Sequence, residues 1–301
     1  MIKEKSCGAV SYIIKDGVYY FLIEKMKQGH FSLPKGHVEN NESEVDTATR
    51  EIKEETNLDV IIDTSFRETI SYIPYKDCIK DVIFFIGKIT SNDIKCQEAE
   101  VSNISFLPFD EAYKILTYKE DKNVLLKAYL YLLKNNKKKY IIIGCPGSGK
   151  SYFSKYLTKY TNIPLYHLDM IYWYDNYKPI SDEMLLKKEN EIMKNDSYII
   201  DGHFQNTLEN RIKNAEVVIF FSLPSKTCIN GVKHRIKSKE IRDDIPTTCK
   251  EDEISDKFMY CMKHFKQKFY KDIRKWLKEN NCNVLAINTK KMQNEIINYM
   301  K

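Results

Sequence analysis

Residues 36 to 58 read GHVENNESEVDTATREIKEETNL. The stretch sets Gly36, Glu42, Arg50, Glu51, Glu54 and Glu55 at fixed offsets. Glu51, Glu54 and Glu55 stand three and four positions apart, so on a helix they share one face. Arg50, four positions before Glu54, is placed to tie down that carboxylate. Three carboxylates on one face repel one another unless a cation sits among them. Hard divalent ions, Mg²⁺ or Mn²⁺, favour oxygen ligands and bind substrate phosphates. The chemistry implied is metal-assisted attack of water on a phosphate chain. An acidic, solvated helix with internal ion pairs accounts for the charges, but it needs neither Gly36 nor Glu42 at these offsets.

The same stretch resembles the Nudix box, G-x5-E-x7-R-E-U-x-E-E-x-G-U, with U a bulky aliphatic residue. Every fixed position matches except one: Asn57 stands where the family has its second Gly, and Leu58 closes the pattern. A Gly there ends the helix with a positive φ, and Asn is the next best residue for that conformation. The resemblance implies an α/β/α sandwich with a mixed sheet. It also implies that Glu54 and Glu55 are the principal metal ligands, that Glu51 assists or orients, and that the Gly36 carbonyl completes the site.

Working outward, residues 6 to 39 resemble the asymmetric diadenosine tetraphosphate hydrolases, which carry W-x-F-P-K-G-H-x-E before the box. Here the run is FSLPKGHVE, with Phe31 for the Trp and Leu33 for the Phe, while Pro34, Lys35, Gly36, His37 and Glu39 match. The implied reaction is asymmetric cleavage of diadenosine tetraphosphate to ATP and AMP; sibling subclasses cleave nucleoside triphosphates or RNA caps. Lys35 offers a mobile point charge for a phosphate, or else is a solvated loop cation. His37 reads as a loop hydrogen-bonder, because Mg²⁺ prefers oxygen. Family members supply one more carboxylate from a loop after the sheet. The run Gln97–Val101 is its source, and Glu100 is favoured over Glu98 as metal ligand or water-activating base. The reason is that VSNISFLPFDEA after Glu100 resembles the family's E-(I/V)-x-x-x-x-W-(L/V)-x-x-x-E-A segment, with Phe106 at the Trp position. A solvated loop acid is the alternative. Tyr72 and Tyr75 are placed either to stack on a nucleobase or to pack, as most of the 21 Tyr must.

A second phosphate-handling motif lies at residues 144 to 151, GCPGSGKS, which fits the Walker A pattern G-x-x-x-x-G-K-(S/T). It follows an apolar run (Tyr140 to Ile143) and precedes the helical pattern SYFSKYLTKY, the context that separates it from a Gly-rich turn. Gly144, Gly147, Ser148 and Gly149 form a loop whose backbone N–H groups can converge on ATP phosphates. Lys150 reaches the β- and γ-phosphates and Ser151 holds Mg²⁺ in such loops.

The rest of the second half resembles the small P-loop kinases related to adenylate kinase, and more narrowly the DNA topology modulation proteins. The shared segments are HLDMIYW (residues 167 to 173) and IIDGHF (residues 199 to 204). Asp169 and Asp201 end strands on the side where doubly wound sheets bind ligands. The resemblance makes Asp201 the Mg²⁺-linked carboxylate and lets Asp169 orient an acceptor; helix capping is the alternative for each. The segment CINGVKHRIKSKEIRDDIPTTCKED resembles the lid of these kinases, with Arg235 and Arg242 placed to embrace a transferring phosphoryl group. Arg211, Arg235 and Arg242 stand out in a half where Lys dominates, although each is also an ordinary candidate for an ion pair. Cys249 matches a lid Cys without an evident role. A long amphipathic helix is expected over residues 254 to 278.

Bulk properties set the frame. The 301 residues allow two ordinary domains, and 43% hydrophobic with 30% charged residues lets both bury cores. The polar run 135 to 139 reads as a linker between a domain over 1–134 and one over 140–301. Residues 1 to 134 carry 18 Lys and Arg against 22 Asp and Glu, a net of −4; the remainder carries 30 against 20, a net of +10. A basic half suits a nucleotide or nucleic-acid ligand, or is simply a Lys-rich surface. Eight scattered Cys with no C-x-x-C pair argue against zinc or a disulfide framework and suit a reducing cytoplasm. The opening MIKEKSCGAVSYII has no long apolar run, so neither leader nor membrane span is expected. No nucleic-acid-binding motif is visible, and the sequence does not address oligomeric state.

The leading expectation is an α/β protein in two parts: a Nudix hydrolase fused to a doubly wound P-loop kinase of unspecified acceptor. AMP released by the first is a conceivable acceptor for the second. The competing expectation is a triphosphate or RNA 5′-end pyrophosphohydrolase joined to an ATP-switched nucleic-acid binder.

Overall fold

A computed structural model describes residues 2–97, 99–239, 241–249 and 252–301. Glu98, the alternative to Glu100, lies outside the described residues. The chain divides into two compact units, Met1–Leu133 and Lys134–Lys301. No helix among the described residues is long and apolar enough to cross a membrane.

The first unit is built from β1 (Ile2–Lys15), β2 (Val18–Met26), β3 (Phe31–Ser32), β4 (Lys35–His37), α1 (Glu44–Thr56), β5 (Val60–Tyr72), β6 (Cys78–Ile89), β7 (Val101–Pro108), α2 (Phe109–Ile115) and α3 (Lys119–Asn136). Its mixed seven-stranded sheet runs β3-β2-β1-β6-β5, with β4 on β1 and β7 on β2. β1 and β2 form a hairpin closed by Asp16 and Gly17 at φ 50° and 82°; two positive-φ residues match the right-handed twist of the flanking strands. β1 also pairs with β6 in parallel, the contact that makes the sheet mixed. β5 is one long strand interrupted by a register shift between Asp63 and Glu68. β7, within a segment singled out only for its likeness to a family motif, is a full strand against β2.

Helix α1 carries the box. Its N-cap is Ser43, whose hydroxyl accepts from the Asp46 N–H. That hydroxyl sits one residue before the helix, at the distance a cap requires. Ala48 and Ile52, four apart, pack on Cys7, Ala9, Ile83 and Phe85 of the sheet. The helix stops at Asn57, with φ 61° and its N–H bonded to the Lys53 carbonyl at 2.8 Å. The Asn57 side chain also donates to Asp93 Oδ2 at 2.9 Å. Asn57→Ala forces a Cβ with no compensating bond into that conformation, and a loss of about 1 kcal/mol or more is expected. A thermal melt unchanged from wild type would show that the cap bears no such load.

The second unit contains β8 (Lys139–Gly144), α4 (Lys150–Thr161), β9 (Leu165–His167), α5 (Leu168–Tyr172), β10 (Trp173–Tyr174), β11 (Lys178–Pro179), α6 (Asp182–Met193), β12 (Tyr198–Asp201), α7 (Gln205–Asn214), β13 (Val217–Phe221), α8 (Ser225–Ser238), α9 (Asp256–Glu279), β14 (Asn283–Ile287) and α10 (Lys290–Met300). Five strands form an all-parallel sheet, β14-β13-β8-β12-β9. Its central strands β8, β12 and β13 are buried nearly throughout, as their unbroken apolar runs require. The polar run 135 to 139 is no free linker: α3 continues through Asn136 and β8 begins at Lys139. Lys138 and Lys139 donate their N–H groups to Glu216, which anchors the start of the strand.

Candidate functional sites

In the first unit β4 brings Lys35 and Gly36 against α1. The Gly36 position follows from close approach: a Cβ there would lie within 2.1 Å of the Glu51 carboxylate. Arg50 is the hub of the helix. Its Nε and Nη2 grip Glu42 at 2.8 and 3.1 Å, Nη2 also donates to the His37 carbonyl at 2.9 Å, and Nη1 meets Glu51 at 2.9 Å and Glu54 at 3.1 Å. This two-pronged grip holds the Glu42 carboxyl down to about 2. Glu42 thus orients Arg50, and Arg50 offsets two of the three box carboxylates.

The three carboxylates differ in depth. Glu54 is half exposed, Glu51 is 13% exposed, and Glu55 is 4% exposed, on the side of the helix that faces the sheet. Glu55 meets a residue that sequence reasoning missed. Glu24 on β2 is 1% exposed and sits against Glu55, and neither its carboxylate oxygens nor Glu55 Oε2 has a hydrogen-bond partner outside this pair. Burial raises both carboxyl pKa values, and their proximity adds to the rise at Glu55. The signal in the sequence is slight: an acid directly after FLI in an apolar strand.

Glu51 and Glu100 add to the negative charge felt by Glu24, while Lys35 opposes it at both Glu24 and Glu55. Glu100 itself is exposed. Lys80 on β6, also missed, stands with its ammonium 3.0 Å from His37 Nε2, and burial lowers its pKa. Beside Lys35 lie His30 and Tyr118, with ring centroids 5.5 Å apart, and the buried Asp121. Tyr72 lies near Tyr118 and Asp121, whereas the Tyr75 hydroxyl is committed to Glu4 at 2.5 Å.

Among the described residues no three acidic, His or Cys side chains already form a closed metal cluster. Arg50 holds Glu51 and Glu54, while Glu55 is buried against Glu24 of the sheet. An all-oxygen donor set with a buried carboxyl pair suits a hard divalent ion.

In the second unit the loop 145–149 joins β8 to α4, and Gly149, at φ 94°, precedes the first turn. Gly147, at φ 75°, is backed by α8 so closely that a Cβ would lie 2.2 Å from the Cys228 carbonyl. From α10, Lys290 donates to the Ser148 carbonyl at 2.7 Å and Gln293 to the Gly149 carbonyl at 3.1 Å. The loop is therefore pinned from two sides. Ser148 is fully buried with no partner for its hydroxyl, and Lys150 folds back to the Cys145 carbonyl at 3.1 Å.

Lys150, Ser151, Asp169, Asp201, Arg235 and Arg242 all line one cavity of about 1130 Å³. Asp201 accepts from His167 Nδ1 at 2.9 Å and keeps its other oxygen without a partner. Asp169 does not end a strand as expected: β9 stops at His167, and Asp169 lies in the first turn of α5, where it accepts from the Trp173 indole at 3.2 Å and lies 3.5 Å from Arg242. Arg242 is gripped by Asp244 at 2.8 and 3.0 Å, and Asp244, also hydrogen-bonded to Ser151, is a cavity residue that the sequence did not single out. Those bonds hold the Asp244 carboxyl well below its usual range despite burial. Arg211 is not a surface Arg: it is fully buried, 3.0 Å from the fully buried Glu189. Cys249 accepts from the Tyr177 N–H at 3.2 Å.

Comparison with known proteins bears on the first unit. Residues 9–129 match the NUDIX domain. The chain is 31% identical over 118 residues to the asymmetrical bis(5′-nucleosyl)-tetraphosphatase of Sus scrofa, covering 37% of this chain and 80% of that enzyme. It is 31% identical over 133 residues to the enzyme of the same name from Caenorhabditis elegans, covering 42% of this chain and 96% of that one. The crystal structure of a C. elegans Ap4A hydrolase binary complex aligns with 43% of this chain and 97% of its own, at 30% identity and a TM-score of 0.40.

Proposed function

The chain belongs to the Nudix family through its first unit, and on that premise we propose that this unit hydrolyses diadenosine tetraphosphate to ATP and AMP with Mg²⁺ or Mn²⁺. The observation that carries the reading is the buried carboxyl pair Glu24 and Glu55, set against each other beside an Arg50 hub and facing Lys35. In this reading Glu51, Glu54, Glu55 and the Gly36 carbonyl hold the ion, with Glu24 and Glu100 adding negative charge. A divalent ion supplies neutralisation of phosphate charge and a more acidic water. Lys35 and Lys80 attract the phosphate chain, and His30, Tyr118 and Tyr72 offer a rim for an adenine ring. The water oxygen bonds to one phosphorus, the P–O–P bridge breaks, and the released proton passes to a carboxylate or solvent. The names of the relatives and the PKGHVE lead-in support this substrate over simple triphosphates.

The second unit, in our reading, is a P-loop phosphotransferase that uses ATP. The pinned glycine loop, the cation at Lys150, and in the same cavity the strand-end Asp201 and Asp169 of the first turn of α5 support it. In the transfer the bond from the γ-phosphorus to the leaving ADP oxygen breaks. A bond to an acceptor oxygen forms, and the acceptor's proton is released. Product-resolved assay of the intact chain against a nucleotide panel with Mg²⁺ tests both parts. ATP and AMP in equal amounts from diadenosine tetraphosphate are the expected products. Preference for nucleoside triphosphates or triphosphorylated RNA would overturn the substrate assignment.

A further inference from the structure

Ser151 stands in the first turn of α4, where a glycine loop of this kind turns a hydroxyl toward a divalent ion. Its hydroxyl is hydrogen-bonded to Asp244, from a segment far along the chain. Asp244 is 6% exposed and lines the same cavity as Ser151, Lys150 and Asp201. Both of its oxygens also accept from Arg242, from Nε at 2.8 Å and from Nη2 at 3.0 Å. Its neighbour Asp243 accepts from Lys155 Nζ at 2.6 Å. Ser151 and Lys155 stand four apart on α4 and so share one face. Two consecutive carboxylates therefore lay their segment along the first turns of α4, and Arg242 ties it onward to Asp169 at 3.5 Å.

The strand-end carboxylate is engaged elsewhere. Asp201 Oδ2 accepts from His167 Nδ1 at 2.9 Å, and Oδ1 is buried without a partner, so neither oxygen takes the Ser151 hydrogen. A buried, orphaned carboxylate oxygen and a hydroxyl in one cavity form an all-oxygen donor set. Such a set suits Mg²⁺ held partly through water and phosphate.

A hydroxyl that gives a lone pair to a cation needs a separate acceptor for its hydrogen. An acceptor that is itself held still fixes the direction of that lone pair, as the partners of metal ligands generally do. Asp244 meets the requirement, because two parallel bonds from Arg242 hold the plane of its carboxylate. We propose that Asp244 is the positioning residue for Ser151: it takes the hydroxyl hydrogen and so turns the oxygen toward Mg²⁺ bound with ATP. One carboxylate then sets both the metal-holding hydroxyl and Arg242. This rests on reading the second unit as an ATP-using phosphotransferase, and the test separates the two.

Both tryptophans, Trp173 and Trp276, lie in the second unit, so tryptophan fluorescence of the intact chain reports on that unit alone. The Trp173 indole donates to Asp169 beside Arg242, which places one reporter at the cavity. Titration with a non-hydrolysable ATP analogue, once with Mg²⁺ and once with EDTA, is the experiment, and the ratio of the two midpoints is the readout. Asp244→Ala is expected to shrink the gain from Mg²⁺ about ten-fold, the scale for removing the partner of a metal ligand. Asp244→Asn, whose amide oxygen still accepts, is expected to recover part of it. Ser151→Ala is expected to lose at least as much as Asp244→Ala, and the double variant no more than Ser151→Ala, because Asp244 acts through that hydroxyl. Thermal melts report that the variants fold. A role in packing alone would weaken binding equally with and without Mg²⁺, and that unmoved ratio overturns the proposal, as do losses that add in the double variant. A wild-type chain that binds no analogue overturns the phosphotransferase reading together with the proposal. Analogue binding whose Mg²⁺ gain survives in Asp244→Ala overturns the proposal alone.

Discussion

Glu55→Gln is expected to lower metal-dependent hydrolysis of diadenosine tetraphosphate by about 10³-fold, the several kcal/mol that metal-borne charge stabilisation supplies. The substitution keeps shape and removes one negative oxygen from a site at 4% exposure. The same variant is expected to be more stable than wild type without metal, because a buried carboxylate beside Glu24 no longer has to be accommodated. The sign follows from linkage. Both carboxyls titrate above the usual value of 4.5, so the folded chain retains protons that the unfolded chain has released. Metal-free stability therefore falls as pH rises above that value toward the raised folded values. Glu55→Gln, and separately Glu24→Gln, weaken that dependence and gain about 1 kcal/mol or more at mildly alkaline pH. Titration calorimetry with Mn²⁺ supplies the second readout: weaker binding and fewer protons released by either variant. A Gln variant that melts like wild type across pH, or that binds Mn²⁺ equally well, would remove Glu24 and Glu55 from the metal site.

Lys150→Ala is expected to abolish ATP-dependent phosphoryl transfer, with a loss of about 10²–10³-fold or more, the scale for deleting one preorganised charge donor. Lys150 folds onto its own loop through the Cys145 carbonyl, and its charge is felt at Asp169 and His203 across the cavity. The measurement is transfer of labelled γ-phosphate from ATP to nucleoside monophosphates by the intact chain, run beside tetraphosphate hydrolysis. Loss of transfer alone from Lys150→Ala, and of hydrolysis alone from Glu55→Gln, assigns each chemistry to its own unit. Loss of both from Lys150→Ala would place a single site behind the two activities.

Much of this was legible because the informative features are local. A carboxylate spacing of three and four residues, a Gly-rich loop between strand and helix, and apolar runs of strand length are all set by helix and strand periods over short stretches. The positive φ of Asn57 was readable for the same reason: few residues tolerate such backbone. Long-range placement was not readable. Arg211 looked like its two Arg neighbours and proved to be a buried clamp, because its pairing with Glu189 depends on how α6 packs against α7. Asp244 carries no spacing rule of its own.

By itself the sequence determined that one helix bears a cation-seeking row of carboxylates and that a second segment bears a phosphate-seeking loop. Tertiary structure decided which of those carboxylates meets water and which meets the core. The box Glu residues are equivalent along a helical wheel. Only the sheet beneath α1, through Glu24 on β2, makes Glu55 the buried member, since desolvation depends on what packs against a group and not on its neighbours in the chain.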